Sequence, residues 1–376
     1  MSIKTNSNIN VSRYVAIGDS ITSGYTNGAL FFEGQQHAYP NLIAQQFKLI
    51  GGGDFKQPLM TKNSVGIGFY GNSKLVLETA SDIENQSGPY YISEIGDLSV
   101  FSENAFAQQG PFNNMSVPSA KCTSLVLAGL GNPSNGPGNY NPFFTRMASD
   151  PSTSSVLSDA TDINPTFFSV FIGNNDILTY ASSGGTQDFI TPVDGEPSIG
   201  FAKSIETIIT NLTKNGAKGV IANLANITNV PAFNIIPFDG LVLNKLQANY
   251  LNKKYEKIDL SFTEGRNPFV IEDSSGIRQL KKGELINLDI QLHPNKELFL
   301  KAELPIPKIF ILNLEEIKSI QSALNSYNQI IENLAKEKNL ALVDVNSFIK
   351  TLKPEIIFNE TYLKTEYKEN RVFSLD

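Results

Sequence analysis

The rhythm of short apolar runs constrains the fold more than any other feature. Such runs occupy residues 13–17 (RYVAI), 166–172 (TFFSVFI), 219–224 (GVIANL) and 340–345 (LALVDV). Their length and β-branched, aromatic character suit strands better than helices, and the first two read as buried. Helical spacing lies between them. Phe201, Ile205, Ile208, Ile209 and Leu212 share one face, with Gly216 available to cap it. Ile317, Ile320, Leu324, Tyr327, Ile331 and Leu334 recur every three or four residues. Strand, helix, strand punctuation implies crossovers and a parallel sheet. The expected fold is α/β, a three-layer α/β/α sandwich with a mainly parallel sheet, as one domain over 12–376.

Two stretches break that rhythm and read as insertions. From about 51 to 109 the chain shows no clear helix, only candidate strands at 74–77 and 90–92, which suggests a β-rich insertion. From about 231 to 307, the runs 269–271 and 277–280 flank Asp273-Ser274-Ser275-Gly276, a plausible hairpin. A helix over 39–47 is expected to turn Leu42, Ile43 and Phe47 inward, with Pro40 near its start. The Gly/Asn/Pro-rich stretch between Ala128 and Tyr140 reads as a surface loop.

Composition narrows the functional classes. Hydrophobic content of 41% with 18% charged residues is that of a globular chain, not a disordered one. A formal charge of −7 and the lack of a basic stripe with interleaved aromatics argue against a nucleic-acid partner. A single cysteine, Cys122, excludes an internal disulfide and reads as a small buried hydrophobe. With only His37 and His293, a His/Cys zinc site is not expected. No stretch approaches the ~18 apolar residues of a membrane span, and residues 1–11 show no signal peptide.

The chemistry is expected at strand ends. The first run stops at Gly18-Asp19-Ser20, so the Ser20 hydroxyl would sit at the C-terminal edge of the sheet, where open α/β folds place their ligands. A helix starting there would leave N–H groups facing an oxyanion. Asn175, in Gly173-Asn174-Asn175-Asp176, follows another buried run and offers an amide donor at the same edge. The segment 114–120 (NMSVPSA) offers a backbone N–H. Each motif alone is equally what a capped turn or an ordinary loop looks like.

Together these blocks resemble the SGNH (GDSL-type) hydrolase family, whose fold is flavodoxin-like. Gly18-Asp19-Ser20-Ile21 is similar to the first block, with isoleucine for the commoner leucine. Residues 114–120 are similar to the second, and Gly173-Asn174-Asn175-Asp176 to the Gly-x-Asn-Asp block. The chain resembles large, insertion-bearing members of Bacteroidetes type, many of them exported lipoproteins. The resemblance implies an ester hydrolase without cofactor or metal, acting on small-molecule, glycan or lipid esters, and placed in the cell envelope or secreted. Ser20 would be the nucleophile and one oxyanion donor. Asn175 would donate its amide, and the second block a glycine N–H. That glycine is replaced by Ser119, which does not reach positive φ as cheaply.

The family also ends with an Asp-x-x-His block. Phe373-Ser374-Leu375-Asp376 resembles the approach to it, so Asp376 would orient a histidine three residues further on. His293 and His37 do not match that block and read as surface histidines. An unassisted serine is a weak nucleophile near neutral pH, so hydrolysis by this chain is expected to be impaired. Two other classes stay open: a non-catalytic protein that keeps the pocket, and a carbohydrate-binding or envelope interaction protein built on the insertions.

Overall fold

The computed structural model describes residues 9–78, 90–92, 94–187, 189–351, 355–358 and 361–364. The chain divides into two compact units. One comprises Met1–Asn175, Thr191–Ala225 and Tyr327–Asp376, the other Asp176–Ile190 and Asn226–Ser326. The fold is mixed α/β around a parallel sheet of four strands.

In the first unit that sheet is formed by β1 (Tyr14–Gly18), β2 (Phe167–Phe171), β3 (Lys218–Ala222) and β4 (Ala341–Val343), side by side in that order. Every pairing is parallel, with Tyr14 opposite Phe167, Ser169 opposite Val220, and Leu342 opposite Ile221. The outer edge of β1 is also occupied. Ala16 N–H donates to Asn113 O at 2.9 Å, Met115 N–H to Ala16 O at 2.8 Å and Val117 N–H to Gly18 O at 3.0 Å. Residues 113–117 therefore run parallel to β1 on the side away from β2. Among the segments of this sheet, the second in chain order lies on one side of β1 and the third on the other. Such a reversal opens a crevice beyond the C-terminal ends of the strands on either side.

Burial explains β1, β2 and most of β3 as strands, whereas all three residues of β4 are exposed. All five residues of β1 are buried. Tyr14 and Ala16 pack with Ala44 and, half-buried, Ile43, Phe47, Phe55 and Phe167. The helix α1 (Ser20–Ser23) follows β1, and α2 (Tyr39–Lys48) supplies Ala44. The inward stripe of α2 is Pro40, Ile43, Ala44 and Phe47, at helical spacing. Leu42 lies off that stripe and is exposed, which corrects its expected inward position. The longer helices follow the sequence closely. Phe201, Ile205, Ile208, Ile209 and Leu212 are all buried on the helix Phe201–Thr213. On Leu314–Glu337, Ile320, Leu324, Tyr327, Ile331 and Leu334 are buried and Ile317 is half-buried. Phe201 and Tyr327 stack with centroids 3.9 Å apart.

The stretch 51–109 is not rich in strands where it is described. It holds one antiparallel pair, Val76–Glu78 with Tyr90–Ile92, a 3-10 turn at Leu98–Ser102 and a short helix at Ala105–Gln109. Backbone bonds between loops, such as Lys74 N–H to Val65 O at 3.0 Å and Gly96 N–H to Gly71 O at 2.7 Å, satisfy part of its irregular backbone, and distant side chains hold residues 58–60. Gln35 donates to Pro58 O at 2.9 Å and accepts from Met60 N–H at 2.7 Å. The buried Arg146 guanidinium donates to Pro58 O at 2.7 Å and Leu59 O at 3.2 Å.

The second unit contains the expected hairpin, Val270–Asp273 paired antiparallel with Gly276–Gln279. Ile306–Pro307 adds a parallel strand, and Phe269, Val270, Ile271, Leu280, Ile286 and Ile306 are part of its core. This unit contains all of 231–307 and extends beyond it at both ends. Among the described residues no helix is long and apolar enough to cross a membrane. Cys122 is buried and forms no disulfide.

Candidate active site

The turn after β1 is built on a close approach. A Cβ at Gly18 would lie 2.0 Å from Thr22 Oγ1 and 2.6 Å from Phe171 O, so only glycine lets α1 fold back onto the strand end. Thr22 Oγ1 in turn meets Tyr39 Oη at 3.2 Å. The helix is a single turn. Asp19 caps it by accepting from Ile21 N–H at 3.1 Å, and Gly24 closes it in the left-handed region at φ 82°. Ser20 is the first helical residue and half-buried. Its N–H belongs to the turn that no intrahelical carbonyl reaches.

The turn after β2 also needs a glycine. Gly173 sits at φ 123°, and a Cβ there would meet Phe201 at 2.8 Å and Leu224 at 2.9 Å. Asn174 then donates its amide to Asp19 Oδ2 at 3.0 Å. Asn175, buried, opens the helix Asn175–Ser182 and donates Nδ2 to Ala120 O at 3.0 Å. The loop it holds carries Ser119, exposed, with φ 61°. Serine at this position has the left-handed conformation that glycine adopts without cost.

Two bonds thus bring three distant segments to one edge. Asp19 with Asn174 links the Ser20 turn to the Asn175 turn. Asn175 with Ala120 links the latter to the Ser119 loop. Asp376 lies outside the described residues. His37 is exposed, its Nδ1 2.8 Å from Glu33 O. His293 belongs to the second unit, its ring against Phe299 and Phe310, its Nδ1 accepting from Asn295 N–H at 3.1 Å.

Electrostatics single out Asp19. It is 1% exposed, and burial pushes its carboxyl up to about 6, although Asn174 and the Ile21 N–H pull the other way. At the end of β4, Asp344 behaves oppositely. Bonds from Ser347, and from Asn223 just past β3, hold it down at about 2.

The sequence pointed to Ser20, Asn175 and Ser119 but not to their supports. Asp19 and Asn174 were visible only as motif letters. Asn114 bonds Thr22 O and Gln57 Oε1, both at 3.1 Å, and nothing local announces it. Chemically, the edge offers one hydroxyl at Ser20, backbone N–H groups at Ser20 and Ser119, and a carboxamide at Asn175. Among the described residues no group accepts from the Ser20 hydroxyl, and no cluster of His, Cys, Asp and Glu could hold a metal. Comparison of the chain with protein-family models, curated proteins and solved structures finds no match in any of the three.

Proposed function

We propose that this chain is a carboxylic ester hydrolase of the SGNH type, working through an acyl-enzyme on Ser20. The observation that carries the reading is the pair of 3.0 Å bonds, Asn174 to Asp19 and Asn175 to Ala120, which gather the Ser20, Asn175 and Ser119 segments at one sheet edge. Strand order supports it, since all segments run parallel and the order 113–117, β1, β2, β3, β4 reverses in chain sequence beside β1, as in doubly wound folds. In this reading Ser20 Oγ attacks the ester carbon, the alcohol leaves, and water later releases the acid. The carbonyl electron pair moves onto oxygen during attack. The N–H groups of Ser20 and Ser119 and the Asn175 amide receive it. The resemblance assigns proton transfer to a histidine three residues past Asp376, which Asp376 would orient, and no cofactor takes part. Substrates are esters of small molecules, glycans or lipids.

One observation favours a binding-only pocket instead: no described residue accepts from the Ser20 hydroxyl. A single assay separates the two. Hydrolysis of p-nitrophenyl acetate is followed as imidazole is added to stand in for the base, for the parent and for Ser20→Ala. A fluorophosphonate is used in parallel and its adduct located by peptide mass spectrometry. The hydrolase reading expects an imidazole-dependent rate that Ser20→Ala lacks, with the adduct on Ser20. Equal rates at every imidazole concentration and an unlabelled Ser20 would overturn it.

A further inference from the structure

The Ser119 loop is held from a side that the catalytic reading does not use. Asn141, 8% exposed, donates Nδ2 to Pro118 O at 2.9 Å and reaches Ser119 Oγ at 3.3 Å. Its Oδ1 accepts from Phe143 N–H at 3.0 Å and Phe144 N–H at 3.3 Å, capping the turn Pro142–Thr145. Its own N–H donates to Leu130 O at 2.7 Å. The side chain is therefore fixed at both ends of its amide.

Pro118 O and the Ser119 N–H belong to one peptide plane and point in opposite directions. A donor on that oxygen fixes the plane and polarises the N–H opposite. The loop needs such a hold, because Ser119 sits at φ 61° and a non-glycine residue reaches that region only at a cost of about 1–2 kcal/mol. The Ala120 N–H closes the turn on Val117 O at 3.1 Å, and Asn175 secures Ala120 O. Among the described residues no acceptor takes the Ser119 N–H.

We propose that Asn141 is a positioning residue of the oxyanion site: by holding Pro118 O it turns the Ser119 N–H toward the ester oxygen bound at Ser20. The proposal rests on the hydrolase reading above. Asn141 touches no reacting atom, so its contribution comes only as charge develops on that oxygen and belongs in kcat more than in KM.

Asn141→Asp tests this, because a carboxylate still caps Phe143 and Phe144 but has no N–H for Pro118. The expected result is a fold that is kept with a lowered Tm, because a buried carboxylate now faces Pro118 O, together with a fall of about 10- to 100-fold in kcat for the imidazole-assisted, Ser20-dependent reaction and an unchanged KM. The Ser119 amide proton should also move upfield in 1H–15N spectra of Asn141→Asp, and not in those of Ser20→Ala. If Asn141→Asp does not fold, Asn141→Ser, which keeps a cap and is too short to reach Pro118, takes its place. A folded variant with parental kcat, or with an unmoved Ser119 amide, overturns the proposal. If Ser20→Ala hydrolyses like the parent, the hydrolase reading fails instead, and with it the oxyanion role. The amide shift then reports the Pro118 contact alone.

Discussion

Asn174 donates its side-chain amide to the carboxylate of Asp19 at 3.0 Å, across 155 residues of sequence. The bond joins the turns that end β1 and β2, the strands on which the sheet reverses its order. Asp19 also caps the helix that begins with Ser20, so one buried carboxylate sets both the entry of that helix and its distance from the Asn175 turn. Neither partner is free to drift. Asp19 is 1% exposed, and Asn174 is fixed between Gly173 at φ 123° and the first turn of the next helix.

This burial gives a pH signature. The Asp19 carboxyl rises from an ordinary 3.8 to about 6, so between those values the folded protein holds a proton that the unfolded chain has released. The stabilisation is complete below 3.8 and is lost as pH climbs through 6, about 3 kcal/mol in all. Asp344, held low, works in the opposite direction, so the parent's pH profile alone would blur the effect. The difference between parent and Asp19→Asn isolates it. Urea midpoints should show the variant gaining on the parent between pH 4 and 7.5. A difference that stays flat to within about 0.5 kcal/mol would show that Asp19 ionises as freely in the fold as in the unfolded chain.

Two backbone positions with positive φ should respond oppositely to their missing and added Cβ. Ser119 at φ 61° is exposed, so Ser119→Gly relieves a left-handed side chain and loses one 3.3 Å contact from Asn141. Unfolded-state entropy offsets part of the relief, leaving a Tm unchanged or slightly raised. Gly173→Ala instead drives a methyl to within 2.8 Å of Phe201 and 2.9 Å of Leu224 at φ 123°. That costs about 2–4 kcal/mol, as overpacking and strain combine. Thermal melts of the two variants decide the matter, and a destabilised Ser119→Gly beside an unaffected Gly173→Ala would refute this account of both turns.

What the sequence revealed depended on the reach of each interaction. The strands at 14–18, 167–171 and 218–222 are buried enough to read as apolar runs, and the helix over 201–213 repeats its buried face for more than three turns. On the ten residues of α2 the same periodicity is too short to fix a face, and Leu42 was assigned to the wrong side. The stretch 51–109 failed for a different reason. Its residues 58–60 are held by Gln35 and Arg146, and no local propensity encodes a partner 23 or 88 residues away. The site divides similarly. Ser20, Asn175 and Ser119 stood out because strand ends and glycine turns are local signals. Asn114 and Asn141 did not, because an asparagine in a loop looks the same whether it faces water or holds a distant carbonyl.

Asn114 offers the sharpest test of that long-range scaffold. Its amide donates to Thr22 O, on the helix that begins with Ser20, and to Gln57 Oε1, both at 3.1 Å. Its Oδ1 accepts from Ser116. Asn114 is 2% exposed and Gln57 is 7% exposed, so removing the amide strands buried acceptors that water does not readily reach. Asn114→Ala should cost about 2–4 kcal/mol, more than an ordinary hydrogen bond, because the desolvation of its partners is left uncompensated. Gln57→Ala alone should cost less, since the Thr22 and Ser116 bonds survive it. In the double variant no acceptor remains stranded at position 57, so the two losses should fall short of additivity by about 1 kcal/mol in urea unfolding. Strict additivity would mean that the Asn114–Gln57 contact contributes nothing, and that Asn114 supports the turn bearing Ser20 without Gln57.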